Sequence, residues 1–507
     1  MDTRTRLPKL ETGSRIRPSE APVSMAQLPW LDPDNLPIHE QWLPVVWRME
    51  GPLDVRAFLG SFQELTRRHD VLRARYAPSG KTWVQSSSAV EDVLLRPLDM
   101  SDADARVREL LIWQRLKTIY DAPVSLDGGT VRLELFKTGT DRYLLAGFLH
   151  HIVTDNVSIG IFFRELMLGY MRRVSGADPL PPPKLQYSDF ALWESSWLKG
   201  GGREEAARYW KKALARARPF HLPDGKGRRA PVGAWAGQSF EIPSDIVLAA
   251  RQHAFGARAT LAIQFQAALC LALAKWAKQD QVLLGSFTQG RPAGFGGVMG
   301  CFMQLRPLFV DLGGAPRLTT VLERTREAAI AVADFRKPIE AEVLERLGVG
   351  SVILNYVRRS RRSGDDAQSA TIERPAEGAR PEVSANWSEG AAVSVPSGDI
   401  GPAAASTEAW ATTDALSATM SLGSPGRERA LRGLRVGMSR LPRQLQSQFS
   451  RDLHIGVLES DDRLDIQTTV SDKGIDPARV AEMMTDIVSF LPLLATQGNR
   501  KAADLIG

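Results

Sequence analysis

The sequence predicts a mixed α/β (α+β) protein folded as two lobes. Three observations carry this. The chain has 507 residues, more than one ordinary domain holds. Strand-like apolar runs alternate along it with runs at helical spacing. Between Pro219 and Gly237 the composition turns to Gly, Pro, Arg and Lys, which reads as a linker (219–237) between an N-terminal lobe (21–218) and a C-terminal lobe (238–507). Hydrophobic residues make up 43% of the chain, enough for full cores in both.

Residues 1–20 are polar and basic and read as a flexible arm. Order is expected from Pro22-Val23-Ser24-Met25-Ala26-Gln27, followed by a strand, Trp42 to Met49. Asp54 is placed to cap a helix with Phe58, Phe62 and Leu65 on one face. That helix ends in Arg67-Arg68-His69-Asp70, either a solvated basic face or a cluster that turns inward to hold a carboxylate. Gly80-Lys81-Thr82 is no phosphate loop, because Arg75 stands where that motif needs glycine. A helix from Ala103 to Tyr120 precedes two strands, Thr130 to Phe136 and Tyr143 to Leu149. Ile159, Phe162, Phe163, Leu166, Met167 and Tyr170 then recur at helical spacing. After the stiff spacer Pro179 to Lys184 a further helix opens at Gln186, and Gly200-Gly201-Gly202 breaks it.

In the C-terminal half, Thr260 to Ala277 is apolar nearly all round and reads as a buried helix. Strands are expected at Gln281 to Phe287, Cys301 to Leu312 and Ser351 to Val357. The loop Gly294 to Gly300 does not match a dinucleotide fingerprint. From 358 to 431 Ala, Ser, Gly and Glu dominate, which predicts a poorly ordered insertion dispensable for turnover. Strands at Asp452 to Val457 and Arg463 to Val470 and a helix after Asp476-Pro477 close the chain.

The net charge of +6 is too small to argue for nucleic acid, but it suits docking of an acidic protein partner. Cys270 and Cys301 lie in apolar runs and read as buried thiols, not a disulfide. Neither a leader segment nor a membrane-spanning run is visible, so a soluble, cytoplasmic monomer without membrane contact is expected.

The chemistry concentrates in Leu149-His150-His151-Ile152-Val153-Thr154-Asp155-Asn156-Val157-Ser158. The chain has only 7 histidines, yet two stand together at the end of an apolar strand. An aspartate follows the second by four residues, and a helix then begins, capped by Asp155 or Asn156. An imidazole near neutrality is the usual general base. Metal chemistry is disfavoured, since adjacent histidines rarely point at one ion and the other five are scattered. A serine hydrolase would need a G-x-S-x-G elbow, which the chain lacks.

His150 to Asp155 resembles the HHxxxDG motif of nonribosomal peptide synthetase condensation domains, shared with the wider group that includes chloramphenicol acetyltransferase. Further segments resemble that family in the right order: Ser24 to Gln27, Arg68 to Arg73, Tyr187 to Trp193, Val282 to Arg291 and Gly300 to Leu308. The resemblance implies two chloramphenicol-acetyltransferase-like lobes, each a mixed sheet flanked by helices, forming a V with the histidine pair at the floor of a central tunnel. It implies a free-standing enzyme, with no cofactor of its own, that transfers an acyl or peptidyl group. The donor would be the phosphopantetheine thioester of a carrier protein, and the acceptor an amine or hydroxyl, carrier-bound or a small molecule. His151 would take the proton or position the amine, while His150 packs and orients the turn. Asp155 would be structural, bonded across the floor to Arg291 or, alternatively, Arg73, with Ser158 beside it on the same turn. Asn355 would face the tunnel from the second lobe.

Three departures bear on the substrate. Asn156 replaces the motif's glycine, Gln304 a usual asparagine and Phe309 a usual arginine. Asparagine tolerates the left-handed region, but its amide would narrow the tunnel or contact the acceptor. Two other readings stay open: an epimerisation domain, whose second acid the sequence does not identify, and a non-catalytic docking platform, which retention of both histidines argues against.

Overall fold

In the computed structural model, residues 19–31, 41–80, 82–89, 95–223, 235–256, 259–334, 336–358, 434–438, 452–471 and 475–506 are described. The arm at 1–18, most of the expected linker (224–234) and the insertion from 359 to 431 lie outside them.

The first part of the chain forms β1 (Glu20–Pro22), β2 (Trp42–Glu50), α1 (Val55–Arg68), β3 (Ala74–Ser79), β4 (Thr82–Ser87), β5 (Pro97–Asp99), α2 (Ala105–Asp121), β6 (Val131–Gly139), β7 (Arg142–His150), α3 (Asn156–Val174), α4 (Tyr187–Trp197) and α5 (Arg203–Ala213). Its main sheet runs β2-β7-β6-β5, antiparallel except for the parallel β5–β6 pair. Helices α1 and α3 cover one face, burying Phe58, Phe62, Phe162 and Leu166 with Trp47. On the other face α2 packs Ile112, Leu116 and Tyr120 against Trp42, Phe136 and Phe148. Covered on both faces, β7 is apolar without alternation, which is why its sequence reads as one continuous run. Strands β1, β4 and β3 make a small separate sheet.

The second part forms β8 (Trp235–Ile242), α6 (Ser244–Gly256), α7 (Leu261–Ala277), β9 (Gln281–Thr288), β10 (Gln304–Asp311), α8 (Leu318–Ala333), α9 (Ala341–Arg346), β11 (Val352–Arg358), β12 (Arg435–Met438), β13 (Leu453–Glu459), β14 (Leu464–Ser471), α10 (Pro477–Thr496) and α11 (Ala503–Ile506). Its mixed sheet has the order β10-β9-β11-β13-β14-β8, with β11 parallel to both neighbours. The side chains of α7 are buried around nearly its whole circumference, and α10 packs beside it in the same core. Among the described residues, no helix is long and apolar enough to cross a membrane.

The lobes exchange more chain than the sequence suggests. Helix α5, assigned by composition to the N-terminal lobe, packs on the second: Trp210 enters that core and its indole N–H donates to the Lys337 carbonyl at 3.0 Å. Arg203 pairs with Glu340 at 2.8 Å. The crossing therefore falls at Gly200–Gly202, where Gly201, at φ 101°, breaks the helix. Conversely β12, from the C-terminal region, pairs antiparallel with β2, setting Arg435 opposite Glu50 and Met438 opposite Trp47. It covers an otherwise open sheet edge, a need that no short strand announces in its own sequence. Phe295, Val298, Met299, Cys301 and Phe302, between β9 and β10, also belong to the first lobe's core.

Candidate functional site

Strand β7 delivers the two histidines. His150 is its last residue, paired with Trp42, and its backbone N–H donates to the Thr130 carbonyl at 2.8 Å. Its side chain is fully buried. Nδ1 accepts from the Ile152 N–H at 3.1 Å, which places the ring proton on Nε2, 3.4 Å from Gln41 Oε1. The Trp42 ring meets it edge-on at 5.2 Å. His150 thus caps the single 3-10 turn His151–Val153 and fixes its direction.

His151 starts that turn with 1% of its surface exposed. The Trp30 indole lies on its ring, 4.7 Å between centroids and 16° from parallel. Burial pulls both imidazoles down to about 3, helped at His150 by His151 and Arg132. Both rings are therefore neutral at physiological pH. The floor of the expected tunnel is closed over His151.

Asp155 sits where strand, turn and second lobe meet. Its Oδ1 caps α3 by accepting from the Ser158 N–H at 2.8 Å and pairs with Arg291 Nη2 at 2.8 Å. Its Oδ2 accepts from the Phe302 N–H at 3.2 Å. The same Arg291 Nη2 reaches Ser158 Oγ at 2.8 Å, and the other guanidinium nitrogen donates to the carbonyls of Phe295 and Val298. The guanidinium carbon lies 4.2 Å from the Phe302 ring centre. Ser158 Oγ also accepts from the Gly300 N–H at 3.0 Å and donates to the Gly300 carbonyl at 2.8 Å. Helix cap and cross-lobe ion pair are therefore one group of atoms.

Arg73 has no part in it. It donates to the carbonyls of Thr66 and Ser88 and pairs with Asp70 at 3.0 Å, because its short turn points away from the motif. The basic cluster beside it does turn inward: Arg68 and His69 hold Glu165 at 3.1 and 2.7 Å. Asn156 opens α3 in ordinary helical backbone, so no left-handed residue is needed there. It and Asp155 line a narrow cleft with Thr288, Gln289, Met303 and Asn355. The cleft's free volume is about 30 Å³, room for a water or two.

Sequence reasoning missed the strap that lies over the motif. Ser24 Oγ and Tyr187 Oη are 2.7 Å apart, and Gln27 Nε2 donates to Tyr76 Oη at 3.0 Å and to the Ile152 carbonyl at 3.2 Å. Tyr187 Oη also donates to the Cys301 carbonyl. Gly300 has φ 153°, and a Cβ there would lie 1.9 Å from the Tyr187 ring, so only glycine lets the second lobe's segment pass. The segments containing Ser24 and Tyr187 carry the sequence resemblance, but Trp30 lies three residues beyond Gln27 and gave no signal of its own.

Comparison with known proteins fits this architecture. A family model for the condensation domain matches residues 19–342. A linear gramicidin synthase of Brevibacillus parabrevis is 30% identical over 346 residues, covering 65% of this chain and 4% of that protein. Chondramide synthase of Chondromyces crocatus is 30% identical over 312 residues, 60% of this chain and 8% of its own length. The chain thus spans only a small part of these relatives. Among solved structures, the X-domain from teicoplanin biosynthesis in complex with OxyB superposes with a TM-score of 0.70 at 19% identity, covering 97% of both chains. The first condensation domain of the calcium-dependent antibiotic synthetase, in complex with a substrate analogue, gives 0.64 at 18% identity, covering 95% of this chain and 98% of that one. Two mixed-sheet lobes, a histidine pair at the end of β7 and a family match spanning both lobes lead to one conclusion: the chain belongs to the condensation-domain family.

Proposed function

We propose that this protein is an acyltransferase of the condensation type. It takes an acyl or peptidyl group from the phosphopantetheine thioester of a carrier protein and passes it to an amine or hydroxyl. The observation that carries the reading is His151, an imidazole held neutral at the start of a turn whose far end, Asp155, is tied to Arg291 of the second lobe. A neutral imidazole can accept a proton at once. As the nucleophile's lone pair attacks the thioester carbonyl carbon, its proton passes to His151. Collapse of the tetrahedral intermediate breaks the C–S bond, and the proton ends on the departing sulfur as a thiol. His150 and Asp155 touch no reacting atom; they set the turn. Asn156 and Asn355 both line the cleft and would contact the acceptor.

Epimerisation fits less well, because it needs a second acid across from the base. The motif's own carboxylate, Asp155, is held by Arg291 and caps α3, so it does not serve as that acid. A docking platform of the same fold is the second reading, favoured by the cover over His151.

Acyl-loaded carrier proteins offered with amines and alcohols to wild type and His151→Ala, with product read by intact-protein mass spectrometry, test this. The variant should lose about 10²–10⁴-fold in rate while still unfolding in one cooperative transition, at a somewhat lower temperature because a buried ring is removed. Equal rates would remove His151 from the chemistry, and carrier binding without product from either protein would favour the platform.

A further inference from the structure

We infer that Trp30 is a lid: its indole closes the approach to His151, and the turn that carries it swings aside to admit an acceptor. The inference deepens the acyl-transfer reading and rests on it. The indole covers one face of the His151 ring at 4.7 Å. Leu28 and Pro29, on the same turn, are exposed, while Trp30 is 8% exposed and His151 beneath it 1%.

The strap has a fixed end and a tip. At the fixed end Ser24 is bonded to Tyr187, Gln27 to Tyr76 and Ile152, and the Met25 N–H to Glu194 at 2.7 Å. The tip turn Leu28–Trp30 is closed by backbone bonds from Trp30 to Gln27 and from Leu31 to Leu28, and Pro29 brings no N–H of its own. Trp30 packs in the same core as Cys301, whose thiol donates to the Ala26 carbonyl of the strap at 3.4 Å. Cys301 lies on the segment the second lobe sends into the first. A shift of that segment would release the indole while Gln27 stayed anchored, so lobe position and access to His151 are coupled through this contact. The rival account makes Trp30 an ordinary core aromatic.

Carbethoxylation by diethylpyrocarbonate at neutral pH, read per histidine by peptide mass spectrometry, separates the two. The reagent attacks neutral imidazole, and His151 is neutral, so slow labelling there reports cover and not protonation. Exposed His221 is the internal reference. The lid predicts wild-type His151 labelling roughly tenfold or more slower than His221, and a rise of similar size in Trp30→Ala. Trp30→Phe, which keeps a ring over the imidazole, and Leu28→Ala, on the exposed side of the turn, should stay slow. Trp30→Leu fills the core without covering the ring: fast labelling in it supports the lid, slow labelling overturns it. Wild-type His151 labelling as fast as His221 would also overturn it. Labelling needs no turnover, so the two readings fail separately. Fast labelling in Trp30→Ala with no transfer by any variant keeps the lid and removes the acyltransferase. Transfer with unchanged labelling does the reverse.

Discussion

Replacing Arg291 with methionine removes the positive half of a pair whose side chains are 7% and 4% exposed. Asp155 keeps the N–H groups of Ser158 and Phe302, but its charge stays buried with no cation beside it. Breaking a buried pair in this way costs about 3–5 kcal/mol. At roughly 2–4 °C per kcal/mol for a lobe of this size, the melting temperature should fall by about 6–20 °C. Asp155→Asn should cost a similar amount for the opposite reason, since it strands the guanidinium while the amide oxygen still caps α3. The double variant buries neither charge, so its loss should undershoot the sum of the singles by about 1–3 kcal/mol. Urea unfolding of the four proteins, followed by tryptophan fluorescence, gives all the terms. A loss below about 1 kcal/mol for Arg291→Met, or plain additivity in the double variant, would refute the claim that this pair clamps the lobes.

Further outcomes follow from the same atoms. Burial raises the Glu194 carboxyl from 4.5 to about 7, so the native state holds that proton more tightly than the unfolded chain does. Its stabilisation is complete below pH 4.5 and is lost as pH rises through 7, about 3 kcal/mol in all. Glu194→Gln should flatten that slope and be the more stable protein in mild alkali; an unchanged slope in the denaturation midpoint would count against it. His150 and His151 run the other way, depressed from 6.5 to about 3, so their contribution is present above pH 6.5 and lost as pH falls towards 3. Their ring-proton NMR signals should hold neutral positions through pH 5, and a midpoint near 6.5 for either would show that it is solvated. Gly300→Ala forces a Cβ into the Tyr187 ring at positive φ and should cost about 3 kcal/mol or more, visible as low soluble yield and an early melt. A wild-type melting curve would mean that the segment can shift aside.

Much of the site was legible because its signals are local. Two histidines at the end of an unbroken apolar strand, an aspartate at a helix start and the helical spacing from Ile159 all lie within about thirty residues. Arg291 came only from resemblance, since nothing in Gly290-Arg291-Pro292 says that its guanidinium crosses to Asp155. Trp30 could not be read at all: its value comes from contact with a ring 121 positions away along the chain, and indole burial looks the same in sequence whatever lies beneath it. The lobe boundary misled for a related reason. Gly, Pro and basic residues mark a turn, but helix α5 chooses its lobe by where Trp210 finds a core, a tertiary fact. Strand β12 is four residues long, too short for any pattern to say which sheet it joins.

That short strand has a consequence for how the protein is made. Arg435 pairs opposite Glu50, so the ribosome releases β2 long before its outer partner exists. At a synthesis rate of about 5–20 residues per second, the nascent lobe waits about 20–80 s with one sheet edge open to neighbouring nascent chains. A fragment that stops short of residue 435 never closes that edge, however well its own core packs. The first lobe emerges before the second and yet, in that one strand, is finished only after most of the second has followed.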